Sequence, residues 1–224
     1  MASKIKAVVL LSGGLDSAVA AALALSRGRE ISALSFDYGQ RHALELTRAK
    51  AQAKALGIQK HVVLRLPLGR LAKGALVDGT KVNQKGLKKG KPSTYVSFRN
   101  GVFLSLAASL AEAEGASEIW GGWCGDDFGG YPDCRADFFR AMNRLIALGS
   151  WAGREGKGAR VVAPLARLSK AATLKLGAKL GVDFSKTWSC YAPEAGKPCG
   201  RCDACRVRSR GFRDAHINDR GMKP

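Results

Sequence analysis

Two groups of residues in this 224-residue chain are spaced for chemistry: a glycine turn near one end and four cysteines near the other. The turn, Ser12-Gly13-Gly14-Leu15-Asp16-Ser17, follows the apolar run 5–11 and opens an alanine-rich stretch. Adjacent glycines let the backbone turn tightly and approach a ligand closely. A helix that starts there points unpaired N–H groups and the positive end of its dipole at the same spot, so the natural occupant is an anion. No Gly-Lys-Ser/Thr ends the turn and no G-x-G-x-x-G spacing is present, which argues against the commoner nucleotide loops. Such turns also occur with no ligand, so the rest of the chain must decide.

Cys190, Cys199, Cys202 and Cys205 follow a C-x8-C-x2-C-x2-C spacing, with Gly200 supplying a tight turn. Four thiolates match a closed tetrahedral Zn²⁺ site, and a closed site folds a segment rather than doing chemistry. An iron–sulfur cluster competes, but the C-x3-C-P continuation is absent. Arg201, Arg206, Arg208, Arg210 and Arg213 leave open a third reading, a zinc ribbon that binds nucleic acid.

Three further segments carry reactive types. Phe36-Asp37-Tyr38-Gly39-Gln40-Arg41-His42 crowds many polar groups into seven positions, where Gln40, Arg41 and His42 can reach toward the glycine turn. Ordinary helix capping is the alternative, and Tyr38 is compatible with packing. Arg99 and Asn100 stand where an apolar helix begins. Asn100 suits a cap, whereas a cation at the positive end of a helix calls for an anion beside it. The segment 125–135 offers Asp126, Asp127 and Asp133 to accept from a ring, Tyr131 or Phe128 to stack on it and Arg135 to meet negative charge. Its plainer reading is a glycine-rich turn before an Asp-capped helix. Cys134 shows no paired base in sequence and reads as a structural thiol.

These segments need a scaffold. Apolar runs alternate with longer amphipathic stretches, the pattern of an α/β protein with an open, mostly parallel sheet and helices on both faces. Strands are expected at 7–11, 31–36, 61–66, 118–123 and 160–164, and helices at 17–26, 42–56, 100–115, 136–148 and 170–180. Ligands of such sheets gather beyond the carboxyl ends of the strands, where the segments above lie. The organisation expected is an α/β domain over 1–184 that carries the glycine turn and a small four-cysteine zinc-binding segment over 185–224.

The formal charge of +19 is high for an enzyme of a small molecule. Between Leu68 and Phe98 the one acid is Asp78, against Arg70, Lys73, Lys81, Lys85, Lys88, Lys89 and Lys91. This stretch reads as a mobile surface loop, either a guide for nucleic acid or an acidic protein, or simply solvated. No apolar run reaches membrane-spanning length, no signal-peptide pattern opens the chain, and bunched cysteines suit a reducing compartment, so a cytoplasmic protein is expected.

The hexapeptide resembles the pyrophosphate loop of the ATP pyrophosphatase superfamily, with an adenine nucleotide alpha hydrolase-like fold. The resemblance implies that Leu11, Ser12, Gly13, Gly14, Leu15, Asp16 and Ser17 bind ATP and that Asp16 helps place Mg²⁺. More closely, SGGLDS, FDYGQRH, RN before FLSLA, GYPDCR, APL-x-x-L-x-K ending at Lys170, and SCY with CG-x-C-x-x-C together resemble the 7-cyano-7-deazaguanine synthase (QueC) family over nearly the whole chain. That family converts 7-carboxy-7-deazaguanine and ammonia to the nitrile with ATP, a precursor step toward queuosine and archaeosine. The resemblance implies Asp16, His42, Arg99 and Lys170 in catalysis, with Lys170 on phosphate charge and His42 handling ammonium protons. It implies Gln40, Arg41, His42, Arg99, Asn100, Asp126, Tyr131, Asp133 and Arg135 around the substrate. Gly129 and Ser97 depart from the serine and proline usual there. A relative that modifies a macromolecule, a tRNA-modifying enzyme with the same loop, and a nucleotide-regulated zinc module stay open as alternatives, as does a homodimer.

Overall fold

The computed structural model describes residues 4–40, 44–85, 90–125 and 131–222. Its centre is a five-stranded sheet of β1 (Lys6–Leu10), β2 (Glu30–Asp37), β3 (Lys60–Arg65), β4 (Glu118–Trp120) and β5 (Arg160–Val162), ordered β3-β2-β1-β4-β5. Every pairing is parallel, and Val9 of β1 lies between Ala33 of β2 and Trp120 of β4. Strands buried on both faces carry little polar alternation, which is why β1 reads as an apolar run.

Among the described residues five α-helices lie between strands, α1 (Leu15–Ser26), α2 (Leu44–Ala55), α3 (Arg99–Glu114), α4 (Ala136–Gly149) and α5 (Trp151–Arg154), and two follow the last strand, α6 (Lys170–Lys179) and α7 (Asp203–Ala215). On one face Val8, Leu34 and Ile119 pack with Leu104 and Ala107 of α3 and Met142 and Ile146 of α4. On the other, Val9 and Ala33 pack with Ala21 and Ala24 of α1 and Ala49 and Ala53 of α2. The small alanines let these helices sit close to the sheet. The expected class therefore holds, with helices on both faces. No helix among the described residues is long and apolar enough to cross a membrane.

Chain order reverses at β1. The chain steps outward from β1 to β3 and then returns to lay β4 on the other side of β1, which opens a crevice beyond the carboxyl ends of β1 and β4. β4 ends at Trp120, three residues before the expectation. Gly122 explains it: a Cβ there would lie 2.4 Å from Asp16 C and from Ser17 N, so the chain leaves the sheet to press its bare backbone against the start of α1.

Two expectations change. The Arg-rich stretch after the cysteines is helix α7, whose Cys205, Arg208, Phe212 and Ala215 form a buried face at helical spacing. Its many arginines masked that period. The basic stretch 68–98, expected as a mobile surface loop, packs instead in its described parts. Ala75 and Val82 lie with Trp188, Cys190, Cys202 and Cys205 in one buried cluster, and Gln84 accepts from Arg201 Nε at 2.9 Å.

Candidate active site

The glycine turn is held from within by Ser17. Its Oγ donates to Gly14 O at 2.9 Å and accepts from Ser12 Oγ at 3.1 Å and Ser12 N at 3.2 Å. Gly13 has φ +82°, and a Cβ there would stand 2.2 Å from Glu45 O, so α2 lies directly against the turn. The Gly13 carbonyl is fixed by two donors from distant segments, Gln52 Nε2 at 2.7 Å and Trp188 N at 2.9 Å. Gly14 caps α1 in an extended conformation without a side chain of its own, and its N–H donates to Ser12 Oγ at 3.3 Å.

Asp16 and Lys170 meet at this end. Lys170 Nζ donates to Asp16 Oδ2 at 2.7 Å and to Cys124 Sγ at 3.2 Å, and both Lys170 and Cys124 are buried. Asp16 Oδ1 is also buried but has no hydrogen-bond partner among the described residues. A carboxylate with one oxygen neutralised and the other bare fits a hard cation that takes oxygen ligands. Lys170 opens α6, where Ser169 caps the helix by accepting from Ala172 N.

A second cluster gathers where α3 begins. Arg99 Nη1 donates to Tyr38 Oη at 3.4 Å, and its guanidinium lies 5.8 Å from the Tyr38 ring centre and 5.9 Å from that of Phe103. Burial works against its charge, but Tyr38, Tyr191 and Asp133 more than compensate and hold Arg99 above the usual guanidinium range. Burial pushes the Tyr38 phenol up to about 12, with Arg99 opposing. Glu45, on the first turn of α2, is pushed up to about 7 by burial, against the pull of Arg99. The cation at the positive end of α3 is thus set among the neutral phenol of Tyr38, Tyr191 and the carboxylate of Asp133, the last supplying the anionic company its position called for.

Asn100 and Asp133 bind each other. Asn100 N donates to Asp133 Oδ2 at 3.0 Å, and Asn100 Nδ2 donates to Asp133 O at 3.1 Å and Cys134 Sγ at 3.2 Å. Asp133 therefore caps α3, and Cys134 is the structural thiol expected. Gln40 braces its own loop, accepting from Tyr38 N at 2.8 Å and donating to Phe36 O at 3.1 Å. Tyr131 Oη shares a hydrogen with Thr94 Oγ1 at 2.7 Å. Arg135 is exposed, with Asp137 3.9 Å away. Arg41, His42 and Asp126, with Asp127, Phe128 and Gly129, lie outside the described residues.

The ligand atoms of Cys190, Cys199, Cys202 and Cys205 all lie within 4.8 Å of one another. Backbone amides of Cys199 and Cys202 each donate to a cluster sulfur at 3.3 Å, to Cys190 and Cys199 respectively, a pattern suited to thiolates around a metal. The same segment carries Trp188 to Gly13 and Tyr191 to Arg99, which links the cysteines to the site they flank.

Sequence reasoning missed Glu45, Gln52 and Trp188. For the first two a signal existed: Glu45, Arg48, Ala49 and Gln52 fall on one face of α2, and a glutamine 3% exposed between alanines marks a polar contact in the core. Nothing local marks Trp188.

The family model described as queuosine biosynthesis protein QueC matches residues 6–216. A 7-cyano-7-deazaguanine synthase of Rhizorhabdus wittichii is 47% identical over 215 residues, covering 96% of this chain and 94% of that one. Another, of Anaeromyxobacter dehalogenans, is 48% identical over 219 residues, covering 96% and 94%. Among solved structures, a predicted tRNA methyltransferase subunit of Methanocaldococcus jannaschii shares the fold with TM-score 0.50 and 20% identity, over 78% of this chain and 76% of that one. NMN synthetase of Francisella tularensis does so with TM-score 0.50 and 17% identity, over 100% and 90%.

Proposed function

The chain belongs to the QueC family, and from that premise we propose that it makes 7-cyano-7-deazaguanine from 7-carboxy-7-deazaguanine, ammonia and ATP. A carboxylate resists ammonia because its charge repels nucleophiles and oxide leaves poorly. In the proposed sequence the carboxylate oxygen attacks the α-phosphorus of ATP and pyrophosphate departs. Ammonia then attacks the acyl carbon and AMP departs, leaving the amide. The amide oxygen attacks a second ATP in the same way, with loss of pyrophosphate and one N–H proton, and loss of AMP and the remaining N–H proton gives the nitrile. One phosphate loop serves both activations.

Leu11 to Ser17 would hold the ATP phosphates, with the open end of α1 and the oxygens of Ser12 and Ser17 around the pyrophosphate. Asp16, through its bare Oδ1, would hold magnesium, which offsets the charge of the departing pyrophosphate. Lys170 adds a cation at the same place. Arg99, kept charged by its surroundings, would receive the substrate carboxylate or the α-phosphate, while Asn100 and Asp133 fix the start of α3 that carries it. Asp126, Tyr131, Arg135, Gln40, Arg41 and His42 remain proposed substrate contacts. The four cysteines would hold zinc, whose role is to fold the segment 185–224 that reaches Gly13.

The observation that supports the reading is the 2.7 Å contact between Asp16 of the SGGLDS turn and Lys170, which brings a carboxylate and an ammonium group together at the start of α1, as a magnesium ligand and a phosphate-binding cation would be. Mass spectrometry of a reaction with ATP, magnesium, ammonium and 7-carboxy-7-deazaguanine tests it. The nitrile should form, and Ser12→Ala and Asp16→Ala should abolish it; an untouched carboxylate overturns the reading.

A further inference from the structure

Nitrile synthesis releases three protons from the nitrogen that need an acceptor: one as ammonia becomes an amide, one as the amide oxygen is adenylated, and one as the activated amide loses AMP. The described carboxylates near the glycine turn are mostly occupied. Asp16 is paired with Lys170, and Asp133 accepts from Asn100. Elsewhere Glu114, Glu118 and Asp219 are paired with Lys60, Arg29 and Arg208. Glu45 differs, since no hydrogen bond or ion pair holds its carboxyl among the described residues, although the residue is half-buried.

Its placement is specific. The backbone of Glu45 touches Gly13 of the phosphate loop, and α2 is tied down by Gln52 on Gly13 O and by Arg48 on Ser185 O at 3.2 Å. The charged and titratable groups that act on its carboxyl are Arg99 from α3 and Tyr38 from the loop after β2. Arg99 favours the ionised form without binding it. We propose that Glu45 is the base of the ammonia step, its carboxylate taking a proton from the attacking nitrogen as the C–N bond forms and the bond to AMP breaks. The inference rests on the function proposed above. A carboxyl raised to about 7 is divided between its two forms near neutrality, the condition under which a base works best.

The test separates activation from amidation. Without ammonium, 7-carboxy-7-deazaguanine-dependent exchange of pyrophosphate into ATP reports adenylation alone. With ammonium, amide and nitrile report the later steps. Glu45→Gln should slow amide formation about 100-fold and slow exchange at least tenfold less than that. Glu45→Asp should recover part of the difference. At a fixed concentration of free ammonia, the wild-type amidation rate should fall below pH 7, and this limb should vanish in Glu45→Gln but persist in His42→Gln. Equal losses of exchange and amidation in both Glu45 variants would make Glu45 a positioning residue and overturn the proposal. So would a limb that vanishes in His42→Gln instead. A wild type that forms no nitrile overturns the functional reading and this inference together, whereas an active wild type with an unimpaired Glu45→Gln variant overturns the inference alone.

Discussion

Lys170 Nζ lies 2.7 Å from Asp16 Oδ2, joining residues 154 positions apart across the start of α1 and the start of α6. Lys170 is 7% exposed, so each charge is the main compensation for the other. Breaking such a pair from one side leaves a charge without its partner, which costs more than removing both. Lys170→Met and Asp16→Asn should each destabilise the fold by about 2–4 kcal/mol, and the double variant by less than their sum, with a coupling of about 1–3 kcal/mol. Urea unfolding of the four proteins measures this, and all three variants should lose nitrile formation.

Gly13 is constrained by conformation and by contact. At φ +82°, with Glu45 O only 2.2 Å from a Cβ, alanine must displace α2 or the turn. Gly13→Ala should abolish ATP binding and cost about 2–4 kcal/mol, whereas Gly28→Ala, at φ +74° with nothing near its Cβ, should cost about 1 kcal/mol and leave ATP affinity intact. Calorimetry with ATP and thermal melts distinguish the two.

The cysteine cluster should carry about one zinc per chain by elemental analysis. Removing the metal unseats the segment that brings Trp188 N to Gly13 O and Tyr191 to Arg99. Chelation, or Cys202→Ser, should therefore lower both the melting temperature and the ATP affinity, although no cysteine of the cluster belongs to the phosphate loop. Metal loss with unchanged ATP affinity would separate the two functions.

Burial raises the Glu45 carboxyl from 4.5 to about 7, so folding takes up a proton between those pH values. Its contribution to stability is whole below pH 4.5 and is lost as pH rises through 7. Glu45→Gln stays neutral throughout. It should match the wild type at low pH and exceed it at pH 8 by about 1–3 kcal/mol, read from urea unfolding at both values. A site residue that costs stability where the enzyme works is the usual sign of function over packing.

Much of the fold was legible. The strands and five of the helices fall where apolar runs and helical periods place them, because those signals are local. The misses share a cause. α7 hides its period beneath arginines, yet Arg208 is buried on Asp219, at 2.6 Å, and Thr187, at 2.8 Å, as part of the inner face. β4 stops early because Gly122 answers to α1, a contact that no window along the chain contains.

By itself the sequence determined the two sites made of near neighbours. The glycine turn is six consecutive residues whose expected affinity for an anion follows from two glycines and a helix start, and the cysteine cluster is a spacing that brings sulfurs to one point. The tertiary structure alone decided the groups that complete the site. It set Lys170 on Asp16, Gln52 and Trp188 on one carbonyl, Asp133 on the start of α3, and the backbone of Glu45 against the turn. Such pairings depend on how a parallel sheet returns its chain past β1, and on which buried polar groups then find each other before water is excluded. Both are properties of the packed molecule and are not set by the local order of residues.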